Sequence, residues 1–222
     1  AQAVVVANDL NPSSFEFLQE NYLINNKSQK KKKMQEMRNK LEKKKPELLN
    51  DQTFEFDPAK YFYAFNLDGR EFIRSKLKAH LAEILHYRYN HNASRFSLER
   101  ENYYALMNLP AMSVEFLDAY VGLYSREESE LIRSSLRDVI DNFRLQIFCY
   151  HFAKTEPDSD LAQIQERIRR DIFKKNESFH INSKFVRKVA PNKDMYCTMF
   201  DLKFDTFLDE MLEPPSKVQK TS

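Results

Sequence analysis

A chain of 222 residues can hold one large domain or a domain with extensions, so core size sets no limit. With 42% hydrophobic and 31% charged residues it has the proportions of an ordinary globular protein, and no apolar run approaches the ~20 residues that a membrane-spanning helix needs. A net charge of +2 neither demands nor excludes a nucleic-acid partner. Cys149 and Cys197 lie far apart in separate apolar runs, which reads as two buried, reduced thiols. The five histidines share no ligand spacing, so no metal site is expected. Glycine is the outlier: only Gly69 and Gly122 occur, where about fifteen are usual for this length. Because the chain opens directly in the apolar stretch Ala3–Ala7, it is expected to begin inside a domain, just past a glycine-rich turn.

Val4-Val5-Val6 is β-branched and wholly apolar, the pattern of a strand buried on both faces. Asn11 and Pro12 suit the cap and first position of a helix whose stripe is Phe15, Leu18 and Tyr22. Residues 26–58 hold the lysine runs Lys30–Lys33 and Lys43–Lys45 and read as a solvated insertion able to meet RNA phosphates. Tyr61–Phe65 is a second buried strand, followed by Phe72, Ile73, Leu77, Leu81 and Leu85 in helical rhythm and by a polar loop over Tyr89–Glu101. Tyr103–Met107 is a third strand, followed by a helix carrying Val114, Phe116, Leu117 and Tyr120. Ser125-Arg126-Glu127-Glu128 has capping-box spacing and opens a helix that reaches about Asn142. Leu145–Phe152 is a fourth strand, and Leu161, Ile164, Ile168 and Ile172 mark an amphipathic helix. Residues 185–189 and 195–202 flank a turn at Pro191 as a terminal hairpin, and 213–222 reads as a disordered tail.

Strands alternating with helices and then a hairpin predict an α/β fold with a mainly parallel sheet and a C-terminal antiparallel hairpin. Ligands of such sheets sit beyond the carboxyl ends of the strands. Three polar breaks fall there: Asn8–Asn11, Asn66–Arg70 and Asn108–Ala111. Asp9 can accept hydrogen bonds from ribose hydroxyls, although the same residue type also caps helices. Asp68-Gly69 can border a flat ring, or simply make a tight turn before a helix. Asn108 offers a donor and an acceptor without charge, suited to a planar base, and Pro110 stiffens the exit from the strand.

Five blocks in order carry a more specific signal. They are Ala7-Asn8-Asp9-Leu10-Asn11-Pro12, Phe65-Asn66-Leu67-Asp68-Gly69-Arg70-Glu71-Phe72, Met107-Asn108-Leu109-Pro110-Ala111, Val114-Glu115-Phe116-Leu117-Asp118 and Val186-Arg187-Lys188-Val189-Ala190-Pro191-Asn192-Lys193. From about Ala3 to Phe204 the chain resembles the eukaryotic tRNA (guanine(37)-N(1))-methyltransferase family, interrupted by insertions at 26–58 and 73–102. The resemblance implies a class I, Rossmann-like methyltransferase sheet over residues 1–212, lacking its first strand and glycine-rich loop. It implies S-adenosyl-L-methionine as cofactor and a tRNA anticodon-loop guanine as substrate. On the matching positions, Asp9 and Leu10 would hold the cofactor ribose and adenosine, Asp68 and Gly69 would border the adenine, and Asn108 would stand where cofactor and guanine meet. Pro110 would shape the guanine pocket. The family's general base lies upstream of Ala1, so this stretch alone is expected to be inactive. A monomer is expected, without a membrane or metal partner, and family resemblance points to cytoplasm, nucleus and mitochondrial matrix.

Two rival readings share these residues. An aminocarboxypropyl transferase of wybutosine synthesis uses the same fold and ribose aspartate, although Asn108-Leu109-Pro110 suits the methylating family better. A non-catalytic RNA-binding module on a decayed cofactor fold accounts for the lysines and scarce glycine but not for three intact polar strand ends.

Overall fold

The computed structural model describes residues 4–25, 62–90, 102–141, 143–154, 159–172 and 180–209. The lysine-rich insertion at 26–58, most of the expected loop before Tyr103 and the tail 213–222 lie outside the described residues. The chain divides into two compact units, Ala1–Ile84 and Leu85–Ser222.

In the first unit, β1 (Val5–Asn8) and β2 (Phe62–Phe65) pair in parallel, in register from Val5 with Phe62 to Asn8 with Phe65. Between them runs α1 (Pro12–Asn25), started as expected by Asn11, whose Oδ1 accepts from the Ser13 and Ser14 amides at 2.9 and 3.3 Å. Phe15 is the buried anchor of α1, and Tyr22 stacks on Phe62 with ring centroids 4.5 Å apart. After β2 come α2 (Gly69–Phe72), a π-helical turn (Ile73–Leu77) and α3 (Lys78–Asn90) without a break, α3 running past the end of this unit at Ile84. The wider π turn carries the buried Lys76, whose ammonium lies 5.2 Å from the Phe65 ring centroid.

In the second unit, β3 (Tyr103–Met107), β4 (Arg144–Ala153), β5 (Asn182–Ala190) and β6 (Lys193–Lys203) form one sheet in the order β3-β4-β6-β5. β3 and β4 are parallel; β6 runs antiparallel to both β4 and β5, which gives the expected hairpin. Burial alternates along β4, so Leu145, Ile147, Cys149 and His151 face the core and Phe148 and Tyr150 face the other way. The core also takes buried side chains from a 3-10 helix (Glu115–Tyr120), α4 (Arg126–Ser135), a short α5 (Arg137–Ile140) and α6 (Ser159–Ile172). Phe143, Phe204 and Phe207 meet edge to face there, with centroids 5.3–6.0 Å apart. The Ser125–Glu128 capping box is present, with the Ser125 amide donating to Glu128 Oε2 at 2.7 Å.

Five expectations need correction. β1 is not buried on both faces: Val5 is 48% exposed, because β2 is the strand's one partner among the described residues. β2 buries only Tyr63. The helix after Gly69 continues through Tyr89 to Asn90, where a loop was expected. The helix from Arg126 stops at Ser135, with Leu136 outside helical geometry (φ −130°, ψ 21°) and the Ser134 hydroxyl turned back onto the Leu131 carbonyl at 3.0 Å. The segment with Phe116 and Leu117 is a tight 3-10 turn, not an α-helix.

Both cysteines are buried free thiols, and burial pushes Cys149 up to about 12, with Cys197 adding in the same sense. His151, two residues along β4 from Cys149, is buried too, its Nε2 2.7 Å from Thr198 Oγ1, which is in turn 2.7 Å from Ser183 Oγ. Burial holds the His151 imidazole below its ordinary 6.5, partly offset by a hydrogen bond with the Phe152 backbone; burial acts on His80 in the same direction. The unfolded chain therefore binds more protons just below pH 6.5 than the folded one. Stability is expected to be full above that pH and to fall as the pH drops through it, levelling only below the folded-state value. Urea midpoints measured from pH 8 to 5 check this, and His151→Gln should flatten the slope.

Candidate functional site

The carboxyl ends of β1 and β2 are joined by side chains acting as extra backbone. Asn8, the last residue of β1, accepts at Oδ1 from the Leu67 amide (3.0 Å) and donates from Nδ2 to the Leu67 carbonyl (2.9 Å). Asn66 donates from Nδ2 to the carbonyls of Asp9 (2.6 Å) and Leu10 (2.9 Å), and the Asp9 amide donates to the Phe65 carbonyl (3.2 Å). The loop over Asp9–Leu10 and the loop over Asn66–Asp68 are thereby locked to each other. Sequence reading placed Asn8 and Asn66 in polar breaks and gave them no role. Their cross-strand bonds appear only once the strands are paired.

Each aspartate of this end spends one oxygen on the fold. Asp9 is half-buried and accepts from the Asn11 amide at Oδ1 (2.9 Å). Asp68 is exposed and caps α2, accepting at Oδ1 from the Arg70 (2.9 Å) and Glu71 (3.4 Å) amides. Among the described residues, the second oxygen of each takes no side-chain or backbone hydrogen bond. Gly69 starts the helix with no special backbone angle; the glycine in left-handed geometry is Gly122 (φ 62°), whose amide donates to the Thr206 carbonyl. Leu10 is 65% exposed at the lip of the same end.

In the second unit, Asn108 follows β3 immediately and is exposed, while Pro110 is half-buried. The turn after Asn108 is closed by the Met112 and Ser113 amides donating to the Leu109 carbonyl at 2.8 and 2.9 Å. It is tied to the end of β4 by the Phe152 amide, which donates to the Pro110 carbonyl at 3.2 Å. Asn108 lines an open hollow of about 420 Å³ with Leu106, Tyr150, Val186, Arg187 and Met195. The irregularity in β5 between Phe185 and Arg187 re-aims the strand beside this hollow. Nearby, the Lys193 ammonium sits 4.0 Å from the Phe152 ring centroid. An amide, a phenol, a guanidinium and three aliphatic walls suit a flat, polar-edged ligand that carries negative charge.

The structure thus brings Asp9, Leu10, Asp68 and Gly69 to one end of the first unit, and Asn108 and Pro110 to one end of the second. The part of Tyr150 and Met195 was invisible in the sequence, because they look like ordinary core positions of their strands. Among the described residues no group of three His, Cys, Asp or Glu side chains could hold a metal ion, and no helix is long and apolar enough to cross a membrane.

No protein-family model matches the chain. Its resemblance to curated tRNA (guanine(37)-N(1))-methyltransferases, read above from five blocks, holds along about nine tenths of its length. The zebrafish protein (Danio rerio) is 30% identical over 199 residues, covering 89% of this chain and 30% of the relative. The Drosophila pseudoobscura pseudoobscura protein is 35% identical over 204 residues (89% and 34%), and the Xenopus tropicalis protein 32% over 224 residues (98% and 34%). The chain therefore spans about a third of the length of the curated relatives it matches. The crystal structure of wild-type Trm5b from Pyrococcus abyssi superposes over 89% of this chain and 37% of its own, with a TM-score of 0.41 and 17% identity.

Proposed function

We propose that this chain is a C-terminal section of the catalytic domain of a tRNA (guanine(37)-N(1))-methyltransferase, which transfers a methyl group from S-adenosyl-L-methionine to N(1) of the guanine 3′ of the anticodon. The observation that carries the reading is the coincidence of two things: identity of 30–35% with enzymes of that name, and polar groups held ready at three strand ends. Among the described residues β1 and β3 each have one unpaired edge.

The residues fit the cofactor. The free oxygen of Asp9 can accept from a ribose hydroxyl without giving up its bond to Asn11, and Asp68-Gly69 on the neighbouring strand end can border the adenine. When bound, S-adenosyl-L-methionine supplies an electrophilic methyl on a sulfonium sulfur. Asn108 holds the guanine edge with one donor and one acceptor, and Pro110 walls its pocket. Arg187 in the same hollow is suited to a nucleotide phosphate and forms no ion pair among the described residues. Guanine N(1) carries a proton at neutral pH, so a base is needed to remove it. Among the described residues no carboxylate lines the hollow, and on this reading the base comes from elsewhere in the whole protein.

Calorimetric titration of the full-length protein with S-adenosyl-L-methionine tests this against a non-catalytic module. Saturable binding at one site is expected. Absence of heat at any cofactor concentration would favour an RNA-binding module on a decayed cofactor fold.

A further inference from the structure

We infer that Ser113 is a positioning residue for the proposed reaction: its hydroxyl fixes the direction in which Asn108 is presented without itself reaching the guanine. The inference rests on the methyltransferase reading above.

Little else holds Asn108. Its side chain is exposed and has no hydrogen-bond partner among the described residues, so its direction follows from its own backbone. Two peptide planes set that backbone. One ends at the Met107 carbonyl and the other carries the Leu109 amide. Both are bound to the same oxygen: Ser113 Oγ donates to the Met107 carbonyl at 3.1 Å and accepts from the Leu109 amide at 3.1 Å. A single hydroxyl five residues away therefore clamps both sides of the Asn108 α-carbon.

Ser113 is 1% exposed, so water does not compete for these bonds. The chain returns to it by a short route, because the Ser113 amide donates to the Leu109 carbonyl at 2.9 Å and Pro110 is tied to β4 through Phe152. Without the hydroxyl, the Met107 carbonyl and Leu109 amide would seek other partners and the turn would shift. An error of about one ångström in a substrate-positioning group slows chemistry by up to a hundredfold. Ser113 occupies a position that reads from sequence as an ordinary loop serine.

A double-mutant cycle in the full-length protein separates positioning from general support. Single-turnover methylation of tRNA is measured for the unaltered protein, Ser113→Ala, Asn108→Ala and the double variant, with cofactor affinity measured alongside. Ser113→Ala is expected to slow methyl transfer roughly tenfold in the normal background and not at all in the Asn108→Ala background, with cofactor affinity unchanged within about twofold. Ser113→Thr, which keeps the hydroxyl, should restore most of the rate. Should Ser113→Ala prove insoluble, Ser113→Cys runs the same cycle. Equal slowing in both backgrounds, or a Ser113→Ala rate equal to the unaltered one, overturns the inference. No methyl transfer by the unaltered protein overturns the methyltransferase reading itself, and this inference with it.

Discussion

Replacing Asp9 by alanine in the full-length protein is expected to weaken S-adenosyl-L-methionine binding about a hundredfold. A hydrogen bond to an ionised group contributes about 1.5–3 kcal/mol, and a carboxylate gripping a ribose makes up to two. At about 1.4 kcal/mol per tenfold, loss of the grip corresponds to that change in affinity. Alanine also removes the bond from the Asn11 amide at the head of α1, so the comparison needs a companion. Asp9→Asn keeps an acceptor for that amide while losing the charge and one acceptor, and should lose nearly as much affinity with the helix start intact. Calorimetry and far-ultraviolet circular dichroism on the pair check both halves. Unchanged affinity in either variant would leave Asp9 as a turn residue and nothing more.

Asn108→Ala should act on the other substrate. The side chain has no partner among the described residues, so its removal is expected to move stability by no more than about 0.5 kcal/mol. If it holds the guanine edge by two neutral hydrogen bonds at about 1 kcal/mol each, kcat/KM for tRNA falls thirtyfold or more, and further if the base is also misaligned. Asn108→Asp offers acceptors only and should not rescue. Steady-state kinetics with tRNA varied at saturating cofactor read this out. A fall confined to cofactor affinity would move Asn108 from the guanine to the cofactor side.

What was legible in the sequence follows from chemistry that is local. Asn8, Asn66 and Asn108 each interrupt a β-branched or aromatic run, and a buried strand cannot continue through an unpaired amide, so strand ends were readable. The caps at Asn11 and Ser125 were readable for the same reason: a cap bonds to amides two or three residues on. Long-range facts were not. The Asn8–Leu67 pair spans 59 residues, and nothing near Asn8 announces its partner. Apolar runs say that side chains avoid water, but not which strand covers them. Val5 was therefore expected inside and is 48% exposed, and Leu106 in the third apolar run is 70% exposed on the face of β3 that also bears Asn108. The 3-10 turn at Glu115–Tyr120 and the π turn at Ile73–Leu77 share the spacing of an α-helix within one turn, so periodicity does not tell them apart.

At the site, residue types were legible and their geometry was not. Asp9 and Asp68 read as either cap or ligand, and the structure shows one oxygen of each accepting from local amides while the other takes no hydrogen bond among the described residues. The hollow beside Asn108 depends on Tyr150, Arg187 and Met195, which come from three strands and meet only through the register of β4, β5 and β6.

One measurement bears most directly on the whole account. Full-length protein is incubated with unmodified tRNA and S-adenosyl-L-methionine, and the digested nucleosides are identified by mass. The account predicts 1-methylguanosine, formed at position 37 alone and lost when that guanine is replaced. An aminocarboxypropyl adduct, or a methyl group at any other atom, would contradict it.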